Sequence, residues 1–350
     1  MPPSVKSGNP DRRGYVTVMN TCLALAGSSI LVPFVAHWGW ALGLFIVSAL
    51  VFIVLEAVSA PPANEAKNFQ YFIRHNLSSK RAPVLVCLGD SLTHGNCSYS
   101  YTVDVPTQVA AALAMEPPKN NSIFADPLWV VNCGQNFITT HTIWRERLNK
   151  ALDCHPDYVC LLIGTNDILG AYSPWYGAYM QRINGLPECP SLSTFTRNFH
   201  GILSHIQQAS PMTQVGVCTL PPLGENVKSV VNQHFIRQAN DVIEQATQQY
   251  GDKFTLIPLH DRLQGILEKE RRPNSDWFAL YPLFAAVQCT LFHLLPGMLR
   301  WQTLGNIMGG HVLLHDGIHM NDRAADELLA LLVEWLVSKG IAKAIAVKLR

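Results

Sequence analysis

The sequence predicts an α/β domain built on a parallel sheet with helices on both faces, preceded by a membrane-spanning segment. Three observations lead there. Five short apolar, β-rich runs alternate with helical patterns between residues 83 and 258, the arrangement of a parallel sheet rather than of hairpins. Small, polar turns follow the first three runs, where open α/β sheets assemble their sites. Residues 16–58 carry apolar sequence for about two bilayer spans at ~20 residues each.

Composition narrows the classes. The 350 residues are 48% hydrophobic and only 15% charged, against ~25% charged in ordinary soluble domains. This deficit points to membrane contact. A net charge of +1 argues against general capture of nucleic acid. The nine cysteines form no C-x-x-C and no paired Cys and His array, so no zinc site is expected from them; no cofactor is expected. Cys87, Cys133, Cys160 and Cys218 fall in or beside expected strands, where a reduced thiol acts as a small hydrophobe. They suit a cytosol-facing domain.

Residues 1–15 read as a polar tail containing Lys6, Arg12 and Arg13. Residues 16–58 read as a transmembrane segment, a two-helix hairpin broken near Pro33, His37, Trp38, Gly39 and Trp40. The stretch 40–58 is the stronger span; 16–36 is weakened by Asn20, Thr21, Ser28 and Ser29. A hairpin keeps the tail and the main domain on the cytosolic side, whereas a single span places that domain in a lumen or outside the cell. Sequons stand at Asn76, Asn96 and Asn120, where chance alone gives about one or two in a chain of this length, and Asn96 lies beside Ser91, an awkward place for a glycan. Residues 59–81 read as a linker and 82–345 as the main domain.

Within that domain the first strand is expected at 83–88, followed by the turn Gly89-Asp90-Ser91-Leu92-Thr93-His94-Gly95 and a helix at 104–113. A second strand at 128–132 ends in Cys133-Gly134-Gln135-Asn136, and a helix follows at 140–152. The third strand, 157–163, ends in Gly164-Thr165-Asn166-Asp167. Next come an aromatic loop at 172–190, a helix at 193–209, a strand at 214–219, a helix at 227–250 and a strand at 254–258. An apolar insert occupies about 265–310, its densest part at 277–301, and a last helix is expected at 322–337. Pro282 and Pro296 leave too few residues between them for a span. The insert reads as an amphipathic or monotopic segment or a hydrophobic lid, with a buried extra core helix as the competing reading.

In a parallel sheet the turns after strands one, two and three project from one edge, so Ser91, Gly134 and Asn166 converge. A serine is a weak nucleophile without a base. The far end of the chain offers one in Leu314-His315-Asp316-Gly317-Ile318-His319. The spacing of Asp316 and His319 at a helix entrance lets the carboxylate orient the imidazole. The backbone N–H groups of Ser91 and Gly134 and the side-chain amide of Asn166 are the expected oxyanion donors, one such donor being worth ~3 kcal/mol. Asp90 is expected to shape its turn and Asp167 to fix its loop. His94 and His315 are expected at the rim, and His260 and Asp261 at the surface.

These four blocks, in this order, resemble the SGNH or GDSL hydrolase family: G-D-S-L around Ser91, N-x-G from Asn132 to Gly134, G-T-N-D from Gly164 to Asp167, and D-x-x-H from Asp316 to His319. The resemblance covers roughly residues 82–340. It implies a flavodoxin-like three-layer α/β/α sandwich, ester- or thioester-hydrolase activity and no metal. By carry-over, Ser91 is the nucleophile, Asp316 and His319 complete the triad, and Gly134 and Asn166 are oxyanion donors. One departure stands in block two, where many members carry a second glycine and this chain has Phe137. The block-two amide is therefore Gly134 by first choice, with Asn136 or Phe137 as alternatives.

The expectation is a membrane-anchored serine ester hydrolase that acts through an acyl-enzyme on a lipid or another acyl ester. Trp277, Phe278, Phe284 and Phe292 of the insert are its candidate substrate-binding residues. Two other readings stand beside it: a deacetylase of glycans or small esters, and a catalytically silent membrane scaffold that keeps the hydrolase fold.

Overall fold

The computed structural model describes residues 43, 46–48, 83–95, 128–270, 312–314 and 317–341. Most of the expected transmembrane hairpin, the linker, the helix at 104–113, His315, Asp316 and the insert residues Trp277, Phe278, Phe284 and Phe292 lie outside them. The chain divides into two compact units, Met1–Ala60 with Leu280–Pro296, and Pro61–Ala279 with Gly297–Arg350. Of the first unit, Gly43, Ile46, Val47 and Ser48 are described, and they are helical. Among the described residues no helix is long and apolar enough to cross a membrane.

The second unit is built on five strands: β1 (Val84–Gly89), β2 (Trp129–Gly134), β3 (Tyr158–Leu162), β4 (Gln214–Cys218) and β5 (Phe254–Ile257). All pair in parallel in the order β2-β1-β3-β4-β5. Nearly every strand residue is buried, as required of a sheet covered on both faces. The register aligns the strand ends, with Gly89 opposite both Gly134 and Leu162. From β1 the chain proceeds first to β2 on one side and then to β3 on the other. This reversal makes the carboxyl end of β1 the topological switch point of a flavodoxin-like sheet.

The helices, in chain order, begin with α1 (Ser91–His94). The helix α2 is continuous through Thr140–Thr142, a π-helical stretch Ile143–Arg147 and Leu148–Leu152. Then come α3 (Thr165–Tyr172), α4 (Pro174–Asn184), α5 (Leu192–Ala209), α6 (Val231–Ile236 continuing as Arg237–Gln249), α7 (Leu259–Glu270) and α8 (Asp322–Ser338). On one side α5 packs against α2 and α6; elsewhere α7 packs against α8. The α8 ring of Trp335 lies against Gly216 of β4 and meets Tyr158 of β3 edge-on at 5.9 Å. The pleat of β4 turns Val215 and Val217 away from that face, and both are fully buried.

Two segments differ from the sequence expectation. The aromatic loop placed at 172–190 contains α3's last residue and the whole of α4. Ser173 caps α4 by accepting from the Tyr176 N–H, and Pro174 at its first turn has the backbone angle a helix needs. The second difference concerns α7, which carries Gly265 through Glu270 as regular helix where the insert was expected to begin. Its leucines 259, 263 and 267 recur every four residues and are buried. Cys87, Cys133, Cys160 and Cys218 are buried in the sheet and outside any disulfide, with the Cys160 and Cys218 thiols 3.7 Å apart.

Candidate active site

Ser91 is the first residue of α1, directly beyond β1. Asp90 caps this short helix, its Oδ1 accepting from the Leu92 N–H at 3.0 Å. Gly95 ends it in the left-handed conformation (φ 88°), which a residue with a Cβ rarely adopts. The helix is therefore fixed at both ends and Ser91 sits over the switch point.

Asn132 of β2 holds the same helix from the side. Its Nδ2 donates to the carbonyls of Thr93 (2.8 Å) and His94 (3.3 Å), satisfying groups a helix end leaves open. Its Oδ1 accepts from the Gly134 N–H at 2.9 Å. Gly134 itself lies so close to α1 that a Cβ there would come within 2.7 Å of His94 Cα. Block two is thus first of all a clasp on the nucleophile helix. His94 is buried in that clasp rather than at the rim.

The Gly134 N–H, the expected oxyanion donor, is engaged by Asn132 in the resting site, and the Gln135 N–H donates to the Gly89 carbonyl at 3.1 Å. For Gly134 to serve an oxyanion, its bond to Asn132 must be shared or released. Phe137, where the second glycine of the family pattern would stand, has φ 58°. That left-handed backbone explains the preference for glycine, and a phenylalanine there bears strain on the order of 1–3 kcal/mol.

Asn166 lies in the first turn of α3, beyond β3. Its Nδ2 donates to the Ile138 carbonyl at 2.8 Å, and its Oδ1 accepts from the Tyr176 hydroxyl at 2.8 Å. These two bonds fix which end of the amide is which, and the second Nδ2 hydrogen remains for a ligand. Burial raises the Tyr176 phenol well above its ordinary pKa, so it stays a donor. Sequence reasoning missed Tyr176, whose place three residues after the Ser173 cap becomes meaningful only once α4 is recognised. We expect Tyr176→Phe to lower kcat about tenfold with little change in KM, because Asn166 would lose its orientation and an acceptor would be left unpaired at a cost of ~1–3 kcal/mol. Steady-state kinetics on an ester substrate read this directly.

His319 completes the arrangement. Its Nε2 lies 2.9 Å from Ser91 Oγ, a hydrogen bond closed across 228 residues of sequence. With the hydroxyl donating, Nε2 is the acceptor and the ring proton sits on Nδ1. Asp316, the carboxylate expected to orient that side, lies outside the described residues.

Two buried carboxylates flank the site. Asp167 accepts from the Thr140 N–H (2.9 Å) and hydroxyl (2.6 Å), tying α3 to the start of α2. Desolvation pushes its pKa up to about 7, against the pull of those bonds. Asp90 is also wholly buried, and desolvation pushes it up to about 6 although the Leu92 N–H, and His319 whenever its ring is protonated, favour its ionised form. A carboxyl whose pKa is higher folded than unfolded binds more protons when folded, so its contribution to stability is greatest below about pH 4 and is lost as pH rises through its folded pKa. The two groups together should make the melting temperature fall between about pH 4 and pH 7. Asp90→Asn keeps the cap and should flatten the lower part of that fall; an unchanged pH profile in thermal melts would contradict the assignment.

A serine at a helix start, an amide fixed by a phenol and an imidazole, gathered at the switch point of a parallel sheet, suit an ester hydrolase of the doubly wound α/β class. The model of the GDSL-like lipase/acylhydrolase family matches residues 87–294. The chain belongs to that family and is an ester hydrolase. No curated protein matches the chain significantly. Among solved structures, a GDSL-like lipase from Parabacteroides merdae is 15% identical with a TM-score of 0.46, over 74% of this chain and 96% of that one. Axe2, an acetylxylan esterase from Geobacillus stearothermophilus, is 15% identical with a TM-score of 0.47, over 73% and 95%.

Proposed function

We propose that the protein is a membrane-anchored serine hydrolase that cleaves a carboxylic ester of a lipid or a similar acyl chain through an acyl-enzyme. The observation that carries the chemistry is the 2.9 Å hydrogen bond between Ser91 Oγ and His319 Nε2. In this reading His319 takes the hydroxyl proton as Ser91 Oγ bonds to the ester carbonyl carbon. The oxyanion is met by the Ser91 N–H, the Asn166 amide and a block-two amide, Gly134 by first choice. His319 then gives the proton to the leaving alkoxide as the carbon–oxygen bond breaks. Water repeats the sequence to release the acid. Asp316 would hold His319 in its Nδ1-protonated form and stabilise the imidazolium.

The anchor and the acyl preference rest on sequence. Residues 16–58 are long enough for a hairpin, and 277–301 is a second apolar tract rich in Trp, Phe and Leu. Trp277, Phe278, Phe284 and Phe292 would then meet the acyl chain, with the catalytic domain on the cytosolic side.

A panel of esters from acetyl to long-chain acyl, assayed on the full chain in membranes, tests the substrate class. Preference for long acyl groups is expected, and activity confined to acetyl esters would replace the lipid reading with a deacetylase. Fractionation and protease protection of tagged termini test the anchor. Recovery in the soluble fraction would remove it, and opposite protection of the two termini would replace the hairpin with a single span.

A further inference from the structure

Glu225 lies in the loop after β4, and only 2% of its surface is exposed. A buried carboxylate is costly unless strong donors replace the lost water. Here three backbone N–H groups do so. Val312 donates to Oε2 at 2.6 Å, and Leu313 and Leu314 donate to Oε1 at 2.5 and 2.8 Å. These amides belong to the segment that leads into His319.

The loop presenting Glu225 is itself held rigidly from α6. Asn240 bonds both the N–H (2.7 Å) and the carbonyl (3.1 Å) of Leu220. Asn232 does the same for Leu223, at 2.8 Å each, and adds the Asn226 carbonyl at 2.9 Å. Immediately before Glu225, the Gly224 N–H donates to the Gly317 carbonyl at 2.6 Å. The grip is returned from the other side. Asn321 donates through Nδ2 to the Val312 carbonyl (2.9 Å) and through its N–H to the Leu313 carbonyl (2.8 Å), while its Oδ1 caps α8. Leu314 and Met320 pair as an antiparallel bridge. His319 therefore lies between attachment points at Gly317 and Met320, in a segment whose incoming strand is fastened by one carboxylate.

We propose that Glu225 is a positioning residue for the reaction: its carboxylate sets the height of residues 312–314 against the sheet, and with them residues 317–320, and so holds His319 Nε2 within hydrogen-bonding reach of Ser91. This rests on the reading of His319 as the base. Glutamate is suited to the task because a carboxylate only accepts, and all three partners only donate. A glutamine of the same size must turn its NH2 toward at least one backbone N–H. The segment then shifts, and a misplacement of ~1 Å can cost about 10²-fold in rate.

The test is a double-mutant cycle on the full chain. Glu225→Gln, folded by circular dichroism, should lose about 10- to 100-fold in kcat and in the rate of fluorophosphonate labelling, with KM changed less than about threefold. In a His319→Ala background the same substitution should cost nothing further, because the group it positions is gone. Wild-type kinetics in Glu225→Gln would overturn the proposal, as would a loss confined to KM or one repeated in full in the His319→Ala background. Full activity in His319→Ala alone would instead remove the base assignment, and it is read separately. Should Glu225→Gln not fold, Glu225→Asp and the wild-type protein decide. Reduced kcat at unchanged KM in Glu225→Asp, with slow amide exchange at Val312, Leu313 and Leu314, supports the clamp. Wild-type kcat in Glu225→Asp or exchange at the rate of an open loop overturns it.

Discussion

Ser91→Ala should abolish fluorophosphonate labelling and lower ester turnover by on the order of 10⁶-fold, the size of loss seen when the nucleophile of a triad is removed. His319→Ala should fall nearly as far, and the two together no further, because nucleophile and base act on one proton. The fold should survive both changes. Neither residue is in the buried core, and α1 keeps its cap at Asp90, its end at Gly95 and its lateral hold from Asn132. Equal melting temperatures with absent turnover would locate the loss in chemistry. A folded Ser91→Ala protein that still takes up the probe would place the nucleophile elsewhere.

Asn166→Ala should cost about 10²–10³ in kcat, the effect of removing one preorganised oxyanion donor. This substitution also strips the Ile138 carbonyl and the Tyr176 hydroxyl of their partners, so stability should drop as well, by ~1–3 kcal/mol. The two effects separate cleanly. Stability is read in denaturant melts, and kcat against KM is read under conditions where the variant is fully folded. A fall in stability with unchanged kcat would reduce Asn166 to a structural link between α3, α4 and the segment before α2.

Both predictions concern residues that could be singled out from sequence, and the reason is physical. Ser91, Gly134 and Asn166 each follow an apolar run long enough to be a buried strand, and parallel alternation obliges those runs to end on one edge. The register of Gly89 with Gly134 and Leu162 then does the rest. What sequence concealed has a different character. α3 is short and has no side-chain cap, and α4, rich in aromatic residues, is announced only by its Ser173-Pro174 start. Asn132 reads as one more polar residue at the end of a strand, yet its side chain holds the carboxyl end of α1. Glu225 was invisible because its partners are backbone amides 87 to 89 residues away, and any sequence supplies backbone amides. His94 was misplaced for the related reason that a contact made by Gly134 leaves no trace in local polarity.

The 228 residues between Ser91 and His319 give the enzyme an order of assembly. At ~5–20 residues per second, the ribosome needs about 10–45 s to pass from the proposed nucleophile to the proposed base. Throughout that interval the nascent chain displays a serine with no imidazole to activate it. A chain arrested or clipped between the end of β5 at Ile257 and position 319 would hold all five strands and, with His319 as the proposed base, should remain inert toward esters. On the proposed assignment, catalytic competence is deferred until translation has passed position 319, and a serine-directed probe should mark molecules that contain His319 and ignore those that end before it.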